Sequence, residues 1–171
     1  FLLKNATIRR LGGNFGGHTG EYTQQSILMN YRVNPSVDAT KAGYVKNCTF
    51  EYCIVPLAVY NSVNTSANKI DCTGNKIYWA PATGDNYGYA CFYVGFSQYV
   101  DFSGTDFDTL QGASNCVRAS SGIVLNNCTG KVCANSIIPY QNVVGSEAKN
   151  NNFEDTGGWR DAGGFQCRGS A

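Results

Sequence analysis

The segment Val45-Lys46-Asn47-Cys48-Thr49-Phe50 contains the pattern that decides the fold, because variants of it recur along the chain. In each variant an apolar residue comes one or two places before an Asn or Asp. A small or apolar residue usually follows, and then Thr, Ser or a similar residue. The Asn and Asp positions are 5, 47, 71, 101, 127 and 150, at steps of 42, 24, 30, 26 and 23 residues. Self-similarity at steps of this length indicates a repeat architecture.

The Asn and Asp of this pattern have a physical role in a solenoid. Each coil must turn sharply between two short strands, and these residues tolerate the left-handed backbone that such a corner needs. Coils about 4.8 Å apart would align the corner residues in a ladder. We therefore predict that one corner of the fold is formed by Asn47, Asp71, Asp101, Asn127 and Asn150.

The segments between the corners favour strands over helices. They are short and lack a sustained helical period of apolar residues. We predict an all-β fold, a right-handed parallel β-helix with coils of roughly 23–30 residues, over residues 1–156. Residues 157–171 are Gly-rich and are interpreted as an exit, a cap or the start of another domain. An antiparallel sandwich is the alternative, but sandwiches do not normally repeat one turn motif at these steps. The first step could contain an extra coil around residues 27–31.

Composition excludes several functions. Only 15% of the residues are charged and the net charge is +1, so electrostatic binding to nucleic acid or acidic lipid is not expected. No apolar run reaches the roughly 18–20 residues that cross a bilayer, so no membrane insertion is expected. The chain has no signal-peptide layout at its start, and we interpret it as a segment of a longer protein.

The eight cysteines are interpreted as mostly free thiols. They contain no CxxC spacing, and His18 is the only histidine, so we predict no zinc site, no other metal and no cofactor. Cys48, Cys72 and Cys128 follow the corner residue, where Phe102 stands in another repeat. An inward, apolar position suits a reduced thiol. An even number of cysteines leaves disulfides open as the alternative.

The repeated corners resemble those of the pectin-lyase-like β-helices, and within them the tailspikes of bacteriophages. The resemblance covers about four fifths of the chain and lies in residues 46–53, 69–77, 100–107, 124–133 and 147–158. It implies a homotrimer in a virion tail, assembled in the bacterial cytoplasm, that attaches to a bacterial surface polysaccharide. No catalytic motif of any one lyase or glycosidase family is present.

The longest insertion after the first lies between Ile77 and Val100 and is rich in aromatic residues. Sugars stack their C–H faces on aromatic rings, and their hydroxyls need polar neighbours. The predicted carbohydrate-binding residues are Trp79, Tyr87, Tyr89, Asp85 and Asn86. The alternative is that these aromatic residues pack against the core or a subunit contact.

Two carboxylates are needed for hydrolysis of a glycosidic bond. Asp106 and Asp108 share one face of a strand by the period of two. Counted from the corners at Asn47 and Asp101, Glu51 falls next to Asp106 on one longitudinal stripe, about 9–10 Å away over two coils. The predicted catalytic residues are therefore Asp106, Glu51 and Asp108, in an arrangement that suits inversion. The alternative is that these acids are solvated on exposed corners.

Three functions remain open. The first is a phage tailspike or tail-fibre β-helix that binds a bacterial polysaccharide, with or without cleaving it. The second is a monomeric secreted lyase or glycoside hydrolase. A lyase needs a base near acidic sugars, often with calcium bound by several carboxylates. Arg9, Arg10 and His18 are the only clustered basic residues and the aspartates cluster little, so a hydrolase is favoured. The third is a structural shaft or viral surface glycoprotein with no active site in this segment. No G-x-S-x-G, P-loop or H-E-x-x-H motif supports another enzyme class.

Overall fold

The computed structural model describes residues 2–10, 27–30, 43–53, 56–60, 62–78, 92–110, 115–118, 120–133, 138–141, 145–154 and 165–168. Within these ranges every regular element is a β-strand, and none is a helix with the length and hydropathy that crossing a membrane requires. The strands form three sheets of six, and each sheet takes every third strand along the chain.

The first sheet contains β1 (Leu2–Lys4), β4 (Tyr44–Lys46), β7 (Ile70–Asp71), β10 (Val100–Asp101), β13 (Val124–Asn126) and β16 (Glu147–Lys149). The second sheet contains β2 (Thr7–Arg9), β5 (Thr49–Glu51), β8 (Lys76–Tyr78), β11 (Asp106–Leu110), β14 (Thr129–Cys133) and β17 (Asn152–Glu154). The third sheet contains β3 (Ile27–Asn30), β6 (Leu57–Tyr60), β9 (Phe92–Gly95), β12 (Asn115–Arg118), β15 (Ile138–Gln141) and β18 (Phe165–Arg168).

Three consecutive strands, one from each sheet, form what we call a unit, and neighbouring units pair in parallel in every sheet. The expectation of an all-β chain with parallel sheets is confirmed for the described residues. Since β1 pairs directly with β4, no extra unit lies within the first, 42-residue step. Strand β3 is instead the third strand of the first unit. Strand β18 lies in the Gly-rich segment 157–171 and pairs with β15.

The first corner of each unit joins its first strand to its second and contains one residue with a positive φ. In the first five units this residue donates its backbone N–H to a carbonyl of the next unit, at 2.8–3.2 Å, and the acceptor always precedes the next corner residue. The backbone hydrogen bonds therefore continue through the corner without interruption. The corner residues are Asn5, Asn47, Gly74, Gly104, Asn127 and Asn150, with φ between 51° and 68°.

The predicted corner ladder is correct at its three Asn positions and wrong at Asp71 and Asp101. Both aspartates lie in first strands, where Asp101 pairs with Asp71, three residues before the glycine that takes the left-handed conformation. The Oδ1 atom of Asp71 accepts the backbone N–H of Thr73 at 3.1 Å, and Asp101 accepts that of Ser103 at 3.0 Å. The aspartates thus stabilise the turn through side-chain hydrogen bonds to its backbone, and the glycine takes the left-handed conformation.

Because the corner lies at Gly74 and Gly104 and not at the aspartates, the four residues expected to share one inward position occupy two different positions. Cys48 and Cys128 follow the corner, whereas Cys72 and Phe102 precede it. Both positions face the core, and all four side chains are buried. The prediction that Cys48, Cys72 and Cys128 are buried free thiols is confirmed. Burial raises the pKa of Cys128 to about 11, so this thiol stays protonated at neutral pH.

A buried amide links two units next to the first corner. Asn75, which has no exposed surface, takes the inward position that Cys48 occupies one unit earlier. Its Oδ1 accepts the N–H of Cys48 at 3.0 Å, and its Nδ2 donates to the carbonyls of Val45 and Cys72 at 2.8 and 2.7 Å. Asn151 makes two equivalent bonds to the fifth unit, at 2.8 and 2.9 Å. Each amide satisfies backbone groups that would otherwise be buried without partners.

The third sheet is buried on both faces at β6. Leu57 and Val59 belong to the hydrophobic core. Ala58 and Tyr60 alternate with them and so point to the opposite face, yet they too have no exposed surface. The outer face of the third sheet at β6 is therefore covered within the same chain. On the other two sheets, the charged residues whose burial the structure describes are partly or fully exposed.

We expect Asn75→Ala to lower the free energy of unfolding by about 2–4 kcal/mol, because it leaves buried backbone groups unpaired. Lys76→Ala, at the exposed neighbouring position, should change stability by less than about 0.5 kcal/mol. Urea denaturation followed by circular dichroism would measure both variants. Equal midpoints for the two variants would show that the amide contributes nothing to the link between units.

Substitutions at Gly74 and Gly145 would distinguish the free-energy cost of a side chain on a left-handed backbone from the cost of a steric clash. Both have a positive φ, but a Cβ on Gly74 would lie 2.4 Å from Oδ1 of Asn47, whereas a Cβ on Gly145 would have nothing within 4 Å. We expect Gly145→Ala to cost about 1–2 kcal/mol from φ alone and Gly74→Ala about 1 kcal/mol more. In a protein that already carries Asn47→Gly, the cost of Gly74→Ala should fall to that of Gly145→Ala. Equal losses in the two single variants would contradict the packing of Asn47 on Gly74.

Candidate functional site

The second sheet presents the candidate site on its outer face. Its strands alternate between the core and the outside, as strand geometry requires. Phe50, Ile77 and Phe107 point inward and are fully buried. The residues between them form two outward rows along the sheet, and the parallel pairing of the strands fixes the alignment of each row.

The two outward rows differ in chemistry. The first row contains Thr7, Thr49, Lys76, Asp106 and Thr129 in successive units. The second row contains Arg9, Glu51, Tyr78 and Asp108 in successive units. Glu51 and Asp108 thus lie on either side of Tyr78, two strands apart, which corresponds to about 9–10 Å between their Cα atoms.

The structure brings all three predicted catalytic residues to this face but changes their pairing. Glu51 shares its row with Asp108, and not with Asp106 as the sequence analysis predicted. The prediction counted from Asp101 as a corner residue, whereas the left-handed residue of that unit is Gly104. The position that matches Glu51, four residues beyond the corner, is therefore Asp108. All three carboxylates are half-buried.

Arg9 determines the electrostatic surroundings of Glu51. Its Nε donates to one carboxylate oxygen at 2.5 Å, and Nη2 approaches the other at 3.5 Å. This pair raises the pKa of Arg9 through the hydrogen bond and the charge of Glu51. The Arg9 side chain is largely exposed, so the pair contributes little to stability in water. It does orient the carboxylate of Glu51 within its row.

Tyr78 lies at the centre of the three carboxylates. Its hydroxyl donates to Oδ2 of Asp106 at 3.5 Å, while Thr129 donates to Oδ1 of the same carboxylate at 2.7 Å. Burial raises the pKa of Tyr78, and the negative charges of Asp106, Asp108 and Glu51 raise it further. The phenol therefore remains protonated, with a half-buried ring on the exposed face.

The predicted carbohydrate-binding residues lie outside the described part of the chain. Trp79, Tyr87, Tyr89, Asp85 and Asn86 all fall between the end of β8 and the start of β9. This insertion begins directly after Tyr78, so the chain leaves the second sheet from the strand at the centre of the candidate site.

Of the basic residues considered for a lyase, Arg9 contacts one of the predicted acids. The guanidinium of Arg10 lies 5.9 Å from the ring centroid of Tyr52, at the corner after β5. Arg9 pairs with Glu51, and His18 lies outside the described residues. Within the described residues, no group of three or more His, Cys, Asp and Glu side chains is arranged to hold a metal ion.

Comparison of the chain with protein-family models, curated proteins and solved structures finds no match.

Tyr78 is not among the site residues predicted from the sequence, because the aromatic residues assigned to sugar binding begin at Trp79. A usable signal was present: Tyr78 and Ile77 alternate as Glu51 and Phe50 do. Aligning these dipeptides would have placed Tyr78 beside Glu51.

We expect the pKa of Tyr78 to fall toward that of an ordinary tyrosine in the Asp106→Asn variant, because that change removes one of the negative charges next to the phenol. Glu147→Gln, on the first sheet, should leave it unchanged. The titration of Tyr78 is measured as the difference in ultraviolet absorbance between each protein and the same protein carrying Tyr78→Phe. An unchanged Tyr78 titration in Asp106→Asn would contradict the contact between these residues.

Proposed function

We propose that the chain is a right-handed parallel β-helix segment of a phage tailspike or tail fibre, and that it binds and hydrolyses a bacterial surface polysaccharide. The observation that carries the proposal is the second outward row, in which Glu51 and Asp108 flank Tyr78 on one exposed face. The repeated order of three sheets supports the β-helix, because one strand per sheet in each unit is the arrangement of a three-sided solenoid.

The spacing of the carboxylates favours hydrolysis with inversion. An inverting glycosidase holds its two carboxyl groups about 6.5–9.5 Å apart, which leaves room for a water molecule. Two strand spacings put the Cα atoms of Glu51 and Asp108 about 9–10 Å apart, and their side chains can shorten or lengthen that distance. Retention would need about 5–5.5 Å between the carboxyl groups.

The surroundings of Glu51 and Asp106 suggest their roles, and Asp108 takes the remaining role. The contact with Arg9 orients the carboxylate of Glu51 toward its row, which suits it to the role of general base. Glu51 then accepts a proton from the attacking water, and Asp108 donates a proton to the oxygen of the leaving sugar. Asp106 already accepts bonds from two hydroxyl groups, of Tyr78 and Thr129. It is suited to accept a hydroxyl of the sugar and orient it.

Tyr78 is suited to hold a sugar ring between the two carboxylates. Its half-buried ring lies between them in the row, and an aromatic ring can pack against the C–H face of a pyranose. The aromatic residues of the following insertion, including Trp79, would extend this surface for a longer glycan.

We expect Glu51→Gln and Asp108→Asn each to reduce hydrolysis at least a hundredfold while binding stays within about threefold, because each removes one proton-transfer group. Tyr78→Ala should weaken binding about tenfold, equivalent to about 1–2 kcal/mol for a lost ring contact. The measurements are reducing-end release and calorimetry with purified capsular and O-antigen polysaccharides from a panel of Gram-negative strains.

Matched variants on the first sheet control for charge and folding. Glu147→Gln and Tyr44→Ala remove the same chemical groups from a different face and should leave both measurements unchanged. Binding without release of reducing ends by the unaltered protein would reduce the proposal to attachment. Full activity in Glu51→Gln and Asp108→Asn would place the catalytic residues elsewhere. Absence of binding to every polysaccharide would favour a structural shaft.

The proposal includes a homotrimer, which is a closed cyclic assembly suited to a fibre. Sedimentation velocity should give the mass of three chains for the tailspike or tail fibre. A monomer that still cleaves polysaccharide would instead support a secreted hydrolase. These two outcomes differ in the assembly alone and leave the role of Glu51 and Asp108 intact.

A further inference from the structure

No further inference is drawn: the strongest candidate, the exposed apolar side chains of Val63 and Phe96 together with Asn64, which follows Val63 and whose buried Nδ2 has no hydrogen-bond partner among the described residues, carries nothing because nothing in the structure shows what covers this surface.

Discussion

At the first corner of the first five units, a residue with a positive φ directs its backbone N–H to the carbonyl that precedes the next corner. This bond keeps consecutive units in register while the chain turns from the first sheet to the second. A unit of different length can be accommodated, because residues are added elsewhere and the corner stays aligned. The positions of the buried residues and of the outward rows both follow from this alignment. A shift of one residue at a corner would move every side chain of the strand that follows it to the opposite face of the second sheet.

The conformation of the corner residues also explains which features of the fold could be predicted from the sequence. The left-handed Asn positions and the apolar residues around them predicted the parallel sheets and the buried thiols, because both depend on local chemistry. The pattern could not distinguish the Asp that braces a turn from the Asn that makes one. Asp71 and Asp101 bond to backbone N–H groups two residues later, and this is a second common use of such side chains in turns. The glycine three residues later was the better indicator.

The same ambiguity decided what could be predicted of the candidate site. Asp106, Asp108 and Glu51 were assigned to one surface because the period of two is a property of any strand. Their pairing across strands depended on the corner, and an error of three residues exchanged Asp108 for Asp106. The role of Tyr78 depends on neighbours from β5 and β11, which are 27 residues before and 30 residues after it. Contacts of that kind are not encoded in any short stretch of sequence.

Strand β6 is buried on both faces of the third sheet, so the three sheets differ in what they present to solvent. Its outer residues are as inaccessible as its inner ones, so a long polymer lying against that part of the third sheet would meet no exposed strand there. The first sheet presents ion pairs such as Lys46 with Asp71, which must give up water and each other before they bind anything else. The second sheet presents hydroxyls, carboxylates, one ring and the cations of Arg9 and Lys76 in regular rows, with Arg9 paired to Glu51. The strands of this sheet are parallel, so a polymer that followed these rows would meet every unit in the same orientation.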